Sequence, residues 1–162
     1  MPESSFIRAG RGAGPIACAA LLLFVLPGCS DYRWMTDYRA AEQTARAQNR
    51  HLFIFYKWWM SSESNRMHGD VLTDSEVAAE LRDTVNVLLE KDSSPDFAAY
   101  MSRYGVTAPP AFVIVAPDGT YQVRTGYIPK DRFIEFVRAA KAPRAQRGGS
   151  RRPPPTAVPL VP

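Results

Sequence analysis

One stretch in the middle of the chain holds most of the side chains that could do chemistry. Ser61 and Ser64 are candidate nucleophiles, and His68 follows Ser64 by four residues, so the two could share a helix face. With Glu63 or Asp70 behind the imidazole, the set would make a hydrolase-like triad. The chain has no Gly-x-Ser-x-Gly turn to expose such a serine. We therefore favour structural roles, with Ser64 in the first turn of a helix and His68 in solvent.

Metal ligands are scarce in this sequence. Met60, Met67 and His68 together would offer soft ligands for copper. Helical spacing with Val71 instead indicates that Met67 is a core residue. Two histidines and two cysteines in the whole chain are too few for a multi-histidine centre or a four-cysteine zinc site. We expect no metal and no cofactor.

The N-terminal segment has the layout of a bacterial export signal. Arg8 and Arg11 precede an uncharged apolar run, residues 16–26, that is shorter than the roughly 20 residues needed to span a bilayer. The run leads into Leu26-Pro27-Gly28-Cys29, which resembles the lipobox of bacterial lipoproteins, where cleavage occurs before a cysteine that receives lipid. Pro27 departs from the small residues that this position prefers.

The lipobox resemblance predicts a signal peptide over residues 1–28 and a lipidated Cys29 followed by a short linker, residues 29–33. The protein would then be attached by lipid to a membrane of the bacterial cell envelope, facing the periplasm or the exterior. An ordinary secretory signal or an uncleaved anchor is the alternative. Cys18 would be removed with the signal peptide, so the mature chain would hold no free thiol.

Positive charge is concentrated at the two ends. The net charge of +4 divides into +1 for residues 1–28, −2 for residues 29–140 and +5 for residues 141–162. A mildly acidic domain argues against a nucleic-acid-binding face. Residues 142–162 contain 6 of the 14 prolines together with arginine, glycine and serine, which predicts a disordered tail. That tail could make weak contact with anionic lipid.

Between these ends, alternating patterns predict one α/β domain over residues 34–141. A helix is expected within residues 36–49, with Thr36 or Asp37 as its N-cap. Later helices are expected over residues 65–72, from the capping box Thr73–Glu76 to Asp83, from Ser94-Pro95 to Arg103, and around Phe133, Phe136 and Val137. Aromatic and β-branched runs predict about four strands in a central mixed sheet, over residues 51–57, 84–90, 111–116 and 120–124.

Three motifs in this order resemble proteins of the thioredoxin fold. More narrowly, they resemble exported thioredoxin-like domains related to the periplasmic domain of disulfide-interchange proteins. The motifs are the strand at 51–57 running into Trp58–Met67, Leu72 with Asp74, Glu76, Val77 and Ala78, and Tyr104–Phe112 leading to Pro117-Asp118-Gly119. The resemblance covers about residues 34–141. It implies a thioredoxin-like fold, with Pro110 at the family's cis-proline position.

The sequence departs from this family at the redox centre. Redox-active members place two cysteines, two residues apart, at the N-terminus of the active-site helix. Counting back from the downstream motif puts those positions on Ser61 and Ser64, whereas counting forward from the strand puts them on Met60 and Glu63. We favour the serines, because the downstream match is longer and loops absorb single insertions. Neither alignment contains a thiol, so we expect no catalytic residue.

The resemblance also implies a peptide-binding surface that does not depend on the cysteines. In relatives, the cis-proline loop pairs with an extended peptide through its backbone, which needs no thiol. The candidate peptide-binding surface is Trp59, Met60, Ser61, Ala108, Pro109 and Pro110. We expect a binding module for an unidentified envelope polypeptide. Two alternatives remain open: the aromatic residues belong only to the core, or the protein is an exported thiol–disulfide oxidoreductase, as family membership alone would suggest.

Overall fold

The computed structural model describes residues 33–146 and 151–152. The predicted signal peptide, Cys18, the predicted lipid-bearing Cys29 and most of the predicted tail lie outside these residues. No helix among the described residues is long and apolar enough to cross a bilayer.

Five strands form one mixed sheet. They are β1 (Trp34–Met35), β2 (Leu52–Lys57), β3 (Val85–Glu90), β4 (Ala111–Val115) and β5 (Tyr121–Thr125), in the spatial order β1-β3-β2-β4-β5. The first three strands run parallel, and β4 runs antiparallel to both β2 and β5. The predicted α/β class is confirmed. The one strand beyond the expected four is β1, which has only two residues and therefore leaves no periodic pattern in the sequence.

Five α-helices surround the sheet. They are α1 (Tyr38–Ala47), α2 (Ser62–Arg66), α3 (Ser75–Leu81), α4 (Phe97–Arg103) and α5 (Lys130–Lys141), with a π-helical turn at Met67–Val71 and a 3-10 turn at Arg144–Gln146. Asp37, one of the two expected caps, accepts hydrogen bonds from the N–H groups of Arg39 and Ala40 at the start of α1.

Three helix starts differ from the sequence prediction. The helix expected over residues 65–72 begins earlier, as α2 at Ser62. Asp74, not Thr73, caps α3, because its carboxylate accepts the Glu76 N–H at 2.8 Å while the Thr73 hydroxyl donates back to the Gly69 carbonyl. The helix expected from Ser94 begins only at Phe97. Asp96 just before it has a φ of 58°, a left-handed conformation that a helix interior excludes.

The sheet is covered on both faces, which explains why β2 is apolar at almost every position. Ile54 and Tyr56 point into a core shared with α1 and α4, whereas Phe53 and Phe55 point into a second core shared with α3, α5 and the π-helical turn. In the second core the rings of Phe55 and Phe112 stack with centroids 5.1 Å apart. Because β2 is packed on both faces, its end at Lys57 is held in place, and this positions the turn that follows.

Part of the predicted disordered tail is ordered in the structure. Arg151 pairs with Tyr121 through two backbone hydrogen bonds of 2.8 and 2.9 Å, as an antiparallel bridge on the outer edge of β5. The 3-10 turn Arg144–Gln146 lies in the same predicted segment. An edge strand leaves backbone N–H and C=O groups unpaired. A short returning segment can satisfy them without any apolar pattern that the sequence would reveal.

Arg50, just before β2, ties the end of α3 to the start of β3. Its guanidinium donates to the carbonyl oxygens of Arg82, Asp83 and Thr84, each at 2.9 Å. Carbonyl groups at a helix C-terminus lack partners within the helix and carry partial negative charge. One cation therefore satisfies three acceptors where the chain enters the central strands.

Replacing Arg50 by alanine should lower the free energy of unfolding by about 2 kcal/mol, because three carbonyl groups lose a charged donor. Urea denaturation followed by circular dichroism measures the loss. Arg132→Ala is the control, since its ion pair with Glu135 is exposed to solvent and contributes little to stability. Equal losses in the two variants would contradict the role given to Arg50.

Candidate functional site

Two serines organise the turn between β2 and α2. Ser61 is the N-cap of α2, and its Oγ accepts a hydrogen bond from the Ser64 N–H at 3.2 Å. The Oγ of Ser64, which is fully buried, accepts from the Trp58 N–H at 3.3 Å. Ser61 is half-buried. A chain of two hydrogen bonds therefore connects the residue that follows β2 to the first turn of the helix.

The alternative positions for the missing cysteines have a different geometry. Met60 precedes the N-cap and is 63% exposed. Glu63 is exposed in the first turn of α2. The pair Ser61 and Ser64 is joined by a hydrogen bond at the start of the helix, with one member accessible and the other buried. This arrangement favours the serines as the counterparts of a redox pair.

His68 does not act with these serines. Its ring stacks on Phe55 at 6.5 Å between centroids, so the expectation of a solvated side chain is wrong. Partial burial lowers the pKa of His68, and the nearby Lys57 ammonium lowers it further. The described residues contain no hydrogen bond between His68 and Ser64, whose hydroxyl is buried. The geometry provides no activated nucleophile.

Met67 also has another role than metal binding. It is fully buried, and its Sδ accepts a hydrogen bond from the Ile128 N–H at 3.1 Å. This contact holds the π-helical turn against the segment leading to α5. Among the described residues, no cluster of three or more histidine, cysteine, aspartate or glutamate side chains could hold a metal ion.

The second element of the site is the loop before β4. The Pro109–Pro110 peptide bond is cis, and the buried Pro110 accepts the Gly126 N–H on its carbonyl oxygen at 2.8 Å. Pro109 is half-buried and Ala108 is exposed. The loop therefore anchors one proline in the fold while presenting the preceding residues at the surface.

A groove of about 590 Å³ lies between this loop and the end of β2. Trp58 forms one wall, and the Lys91 Nζ lies 4.1 Å from the centroid of its ring, a cation–π contact. Residues of α4 and of the loop form the rest of the lining, among them Phe97, Met101, Val106, Ala108 and Pro109. The sequence prediction included the last two and missed the others, because no local pattern links α4 to the loop.

Two large apolar side chains are exposed in the described part of the chain, and they are neighbours. Trp59 is 56% exposed and Met60 is 63% exposed. The indole N–H of Trp59 donates to the Asp92 carboxylate at 2.9 Å, and its carbonyl accepts from the Asn65 side chain at 2.7 Å. The preceding Trp58 is half-buried beside the groove.

Comparisons with known proteins agree with the fold described above. The model of the thioredoxin-like domain family matches residues 38–141. A solved thioredoxin from Thermus thermophilus is 25% identical, with a TM-score of 0.57 over 65% of this chain and 84% of that chain. The oxidised C-terminal domain of Neisseria meningitidis DsbD is 19% identical, with a TM-score of 0.56 over 66% and 99%. A DsbH oxidoreductase is 14% identical, with a TM-score of 0.54 over 67% and 83%.

A comparison with curated protein sequences gave no significant match. The family match spans more than half of the chain and includes β2, the Ser61–Ser64 turn, the cis-proline loop and α5. The chain therefore belongs to the thioredoxin-like domain family.

Proposed function

We propose that this protein is a membrane-anchored thioredoxin-like domain that performs no thiol–disulfide exchange and binds an extended segment of another envelope protein. The binding site is the Trp59–Pro110 surface, formed by Trp59, Met60, Ser61, Ala108, Pro109 and Pro110. The observation that carries the proposal is the hydrogen-bonded pair Ser61 and Ser64 at the start of α2, beside the exposed Trp59 and Met60. We assign to these serines the two positions that redox-active relatives fill with cysteines.

The absence of exchange chemistry follows from the two hydroxyl groups. Exchange requires a thiolate that attacks a disulfide and forms a mixed disulfide. A serine hydroxyl stays protonated near neutral pH without an adjacent base, and it forms no disulfide. Ser61 accepts the Ser64 N–H, and Ser64 is buried against the Trp58 N–H. The competing proposal, an exported thiol–disulfide oxidoreductase, requires a thiol at these positions, and neither Ser61 nor Ser64 provides one.

Restoring the thiols should create the activity that the native chain lacks. In Ser61→Cys/Ser64→Cys, the Ser64-position N–H would donate to the accessible sulfur and stabilise its thiolate. We expect reduction of insulin by dithiothreitol, followed by turbidity, to be accelerated by the double variant and to stay at the uncatalysed rate with the native chain. Acceleration by the native chain would overturn the proposed lack of exchange.

The matched control is Met60→Cys/Glu63→Cys, which has the same spacing in the alternative alignment. We expect little activity, because Met60 precedes the helix cap and accepts no hydrogen bond from the first turn. Activity in this variant together with inactivity of Ser61→Cys/Ser64→Cys would reverse the assignment of the two positions.

Support for binding comes from how Trp59 and Met60 are displayed. Adjacent exposed apolar side chains typically mark interaction sites, and tryptophan is enriched among residues that dominate binding energy. Hydrogen bonds to Asp92 and Asn65 hold Trp59 from both its indole and its backbone. Less side-chain freedom is then lost when a partner binds. The flexible Met60 beside it can adapt to different partner side chains.

The loop on the other side limits how a peptide can pair. The residue before Pro110 is itself a proline, which has no N–H to donate. Backbone pairing at Pro109 can therefore use only its carbonyl group. Apolar contacts with Trp59, Met60 and the neighbouring groove would then provide a larger share of the affinity than in a loop that both donates and accepts. This favours an extended partner segment with apolar side chains.

Binding can be tested with a reduced, carboxymethylated polypeptide that stays unfolded and carries a fluorescent label. In anisotropy titrations, Trp59→Ala/Met60→Ala should weaken binding about thirtyfold, the effect of losing one strong contact. Pro109→Ala should strengthen binding about fivefold, because it restores one backbone donor. Arg132→Ala, on an exposed part of α5, is the control and should leave affinity unchanged. Equal affinities in all four proteins would exclude the Trp59–Pro110 surface.

Membrane anchoring rests on the N-terminal pattern alone, since Cys29 lies outside the described residues. The described chain begins at Arg33, and β1 follows at once. Only residues 30–32 separate Cys29 from Arg33. A lipid on Cys29 would therefore hold the domain close to the membrane, facing the periplasm or the exterior of the envelope.

Growth with a radiolabelled fatty acid should label the protein, and Cys29→Ala should abolish the label because the acceptor sulfur is lost. Cys18→Ala is the control and should keep the label, since that residue would be removed with the signal peptide. Gel electrophoresis of the immunoprecipitated protein detects both results. Label that persists in Cys29→Ala would contradict lipidation at this residue.

A further inference from the structure

Both described ends of the chain leave the sheet at the same end. Trp34 pairs with Asn86, so Arg33 lies level with Val85. Val85 is level with Leu52, and Leu52 is level with Val115. The row continues through Tyr121 to Arg151. One row across the sheet therefore ends near Arg33 on one edge and at Arg151 on the other, about 24 Å apart at about 4.8 Å per strand.

This end of the sheet is opposite the Trp59–Pro110 surface. Leu52 starts β2 in that row, whereas the site follows Lys57 at the other end of the same strand. The five steps along the strand span about 17 Å. The start of β4, next to Pro110, is level with Tyr56 and so lies at the site end as well. Arg33 and Arg151 are thus separated from the binding surface by the length of the sheet.

Four exposed arginines without an ion pair lie at the end of the sheet that holds Arg33 and Arg151. Arg33, Arg82, Arg151 and Arg152 are all exposed. Arg82 belongs here because it follows α3 just before β3, where its carbonyl accepts from Arg50. None of the four forms a salt bridge with the described residues.

The acidic groups at this end already have partners. Glu80 pairs with Arg138, and Asp83 pairs with Lys141. The Asp118 carboxylate accepts from the N–H and hydroxyl of Thr120. At the site end acids outnumber cations, since residues 57–70 and 90–96 together with Arg124 hold four cations and five acids. The domain is therefore electrically asymmetric along the strand direction.

We infer that Arg33, Arg82, Arg151 and Arg152 form a contact surface for the anionic headgroups of the bilayer that anchors the chain. The Trp59–Pro110 surface then points away from that bilayer. This inference rests on the proposed membrane anchoring. Four peptide steps from Cys29 to Arg33 span at most about 14 Å, so an anchor brings this end of the sheet to the membrane surface. Headgroup charge acts within about 10 Å, where each arginine adds roughly a fivefold preference.

The test measures which end of the domain faces the bilayer. The full-length chain is reconstituted into vesicles of phosphatidylcholine, with or without a quarter of phosphatidylglycerol. A fluorophore is attached to Ala47→Cys, at the exposed end of α1 that leads into β2, or to Ser93→Cys, exposed beyond β3 at the site end. The parent chain, treated identically, gives the background, which should be negligible when Cys18 has been removed and Cys29 carries lipid. A quencher carried on lipid headgroups reports proximity.

We expect severalfold stronger quenching at Ala47→Cys than at Ser93→Cys on anionic vesicles. High salt, or neutralising Arg33, Arg82, Arg151 and Arg152 to glutamine, should remove that difference while the protein stays on the vesicles. The matched control neutralises four other exposed arginines (Arg39, Arg66, Arg124 and Arg132) and should keep the difference.

Equal quenching at the two positions would overturn the inference, as would a control set that acts as strongly as the four arginines. A chain that does not stay on the vesicles overturns it too. Failure of lipidation alone is distinguishable from failure of this inference. The fatty-acid label would be lost, but an uncleaved apolar segment over residues 16–26 would still tether Arg33 near the bilayer and keep the difference in quenching. Loss of peptide binding is measured in the anisotropy titrations and does not change the quenching pattern.

Discussion

The two hydrogen bonds that run from Trp58 to Ser64 and from Ser64 to Ser61 fix the site end of this domain. They join a strand buried on both faces to the first turn of α2, and so determine where Trp59 and Met60 leave the surface. Serine is among the best N-cap residues, contributing about 1 kcal/mol to a helix. Hydroxyl groups therefore maintain the geometry of this turn without a thiol. The fold depends on the hydrogen bonds at these positions, whereas exchange depends on sulfur.

Much of the fold was predictable because its signals are local. A central strand covered on both sides must be apolar over its buried length, and residues 52–56 show it. Asp37 and the turn at Pro117-Asp118-Gly119 likewise depend on their own few residues. What escaped prediction depends on distant partners or very short segments. β1 has two residues, the groove wall comes from α4, and Arg151 finds its partner 30 residues earlier at Tyr121.

The core on the α1 and α4 side holds a polar network that no local pattern reveals. The hydroxyl groups of Tyr38 and Tyr104 lie 2.6 Å apart across 66 residues of sequence, and Arg103 donates to Tyr38 while pairing with Glu42. Burial raises the pKa of Tyr38 well above its ordinary value, so the hydroxyl stays neutral. One neutral hydroxyl can donate a hydrogen bond to the other without the cost of a buried charge. The network fastens α1 to α4, and α4 in turn forms a wall of the groove.

The order of the strands separates the two tasks proposed for this domain. Because β2 and β3 are parallel, both end at the site, and the antiparallel β4 returns the chain to the opposite end. β5 begins there, and the pairing of Arg151 brings the described tail back to the same level. Groups so far apart share no partners, and substitutions at such distances generally have additive effects. The linker and the tail can therefore vary in length and charge without moving Ser61 or the loop at Pro110. For the binding function proposed above, what matters is where the domain places its surface, and this topology sets that placement independently of the surface itself.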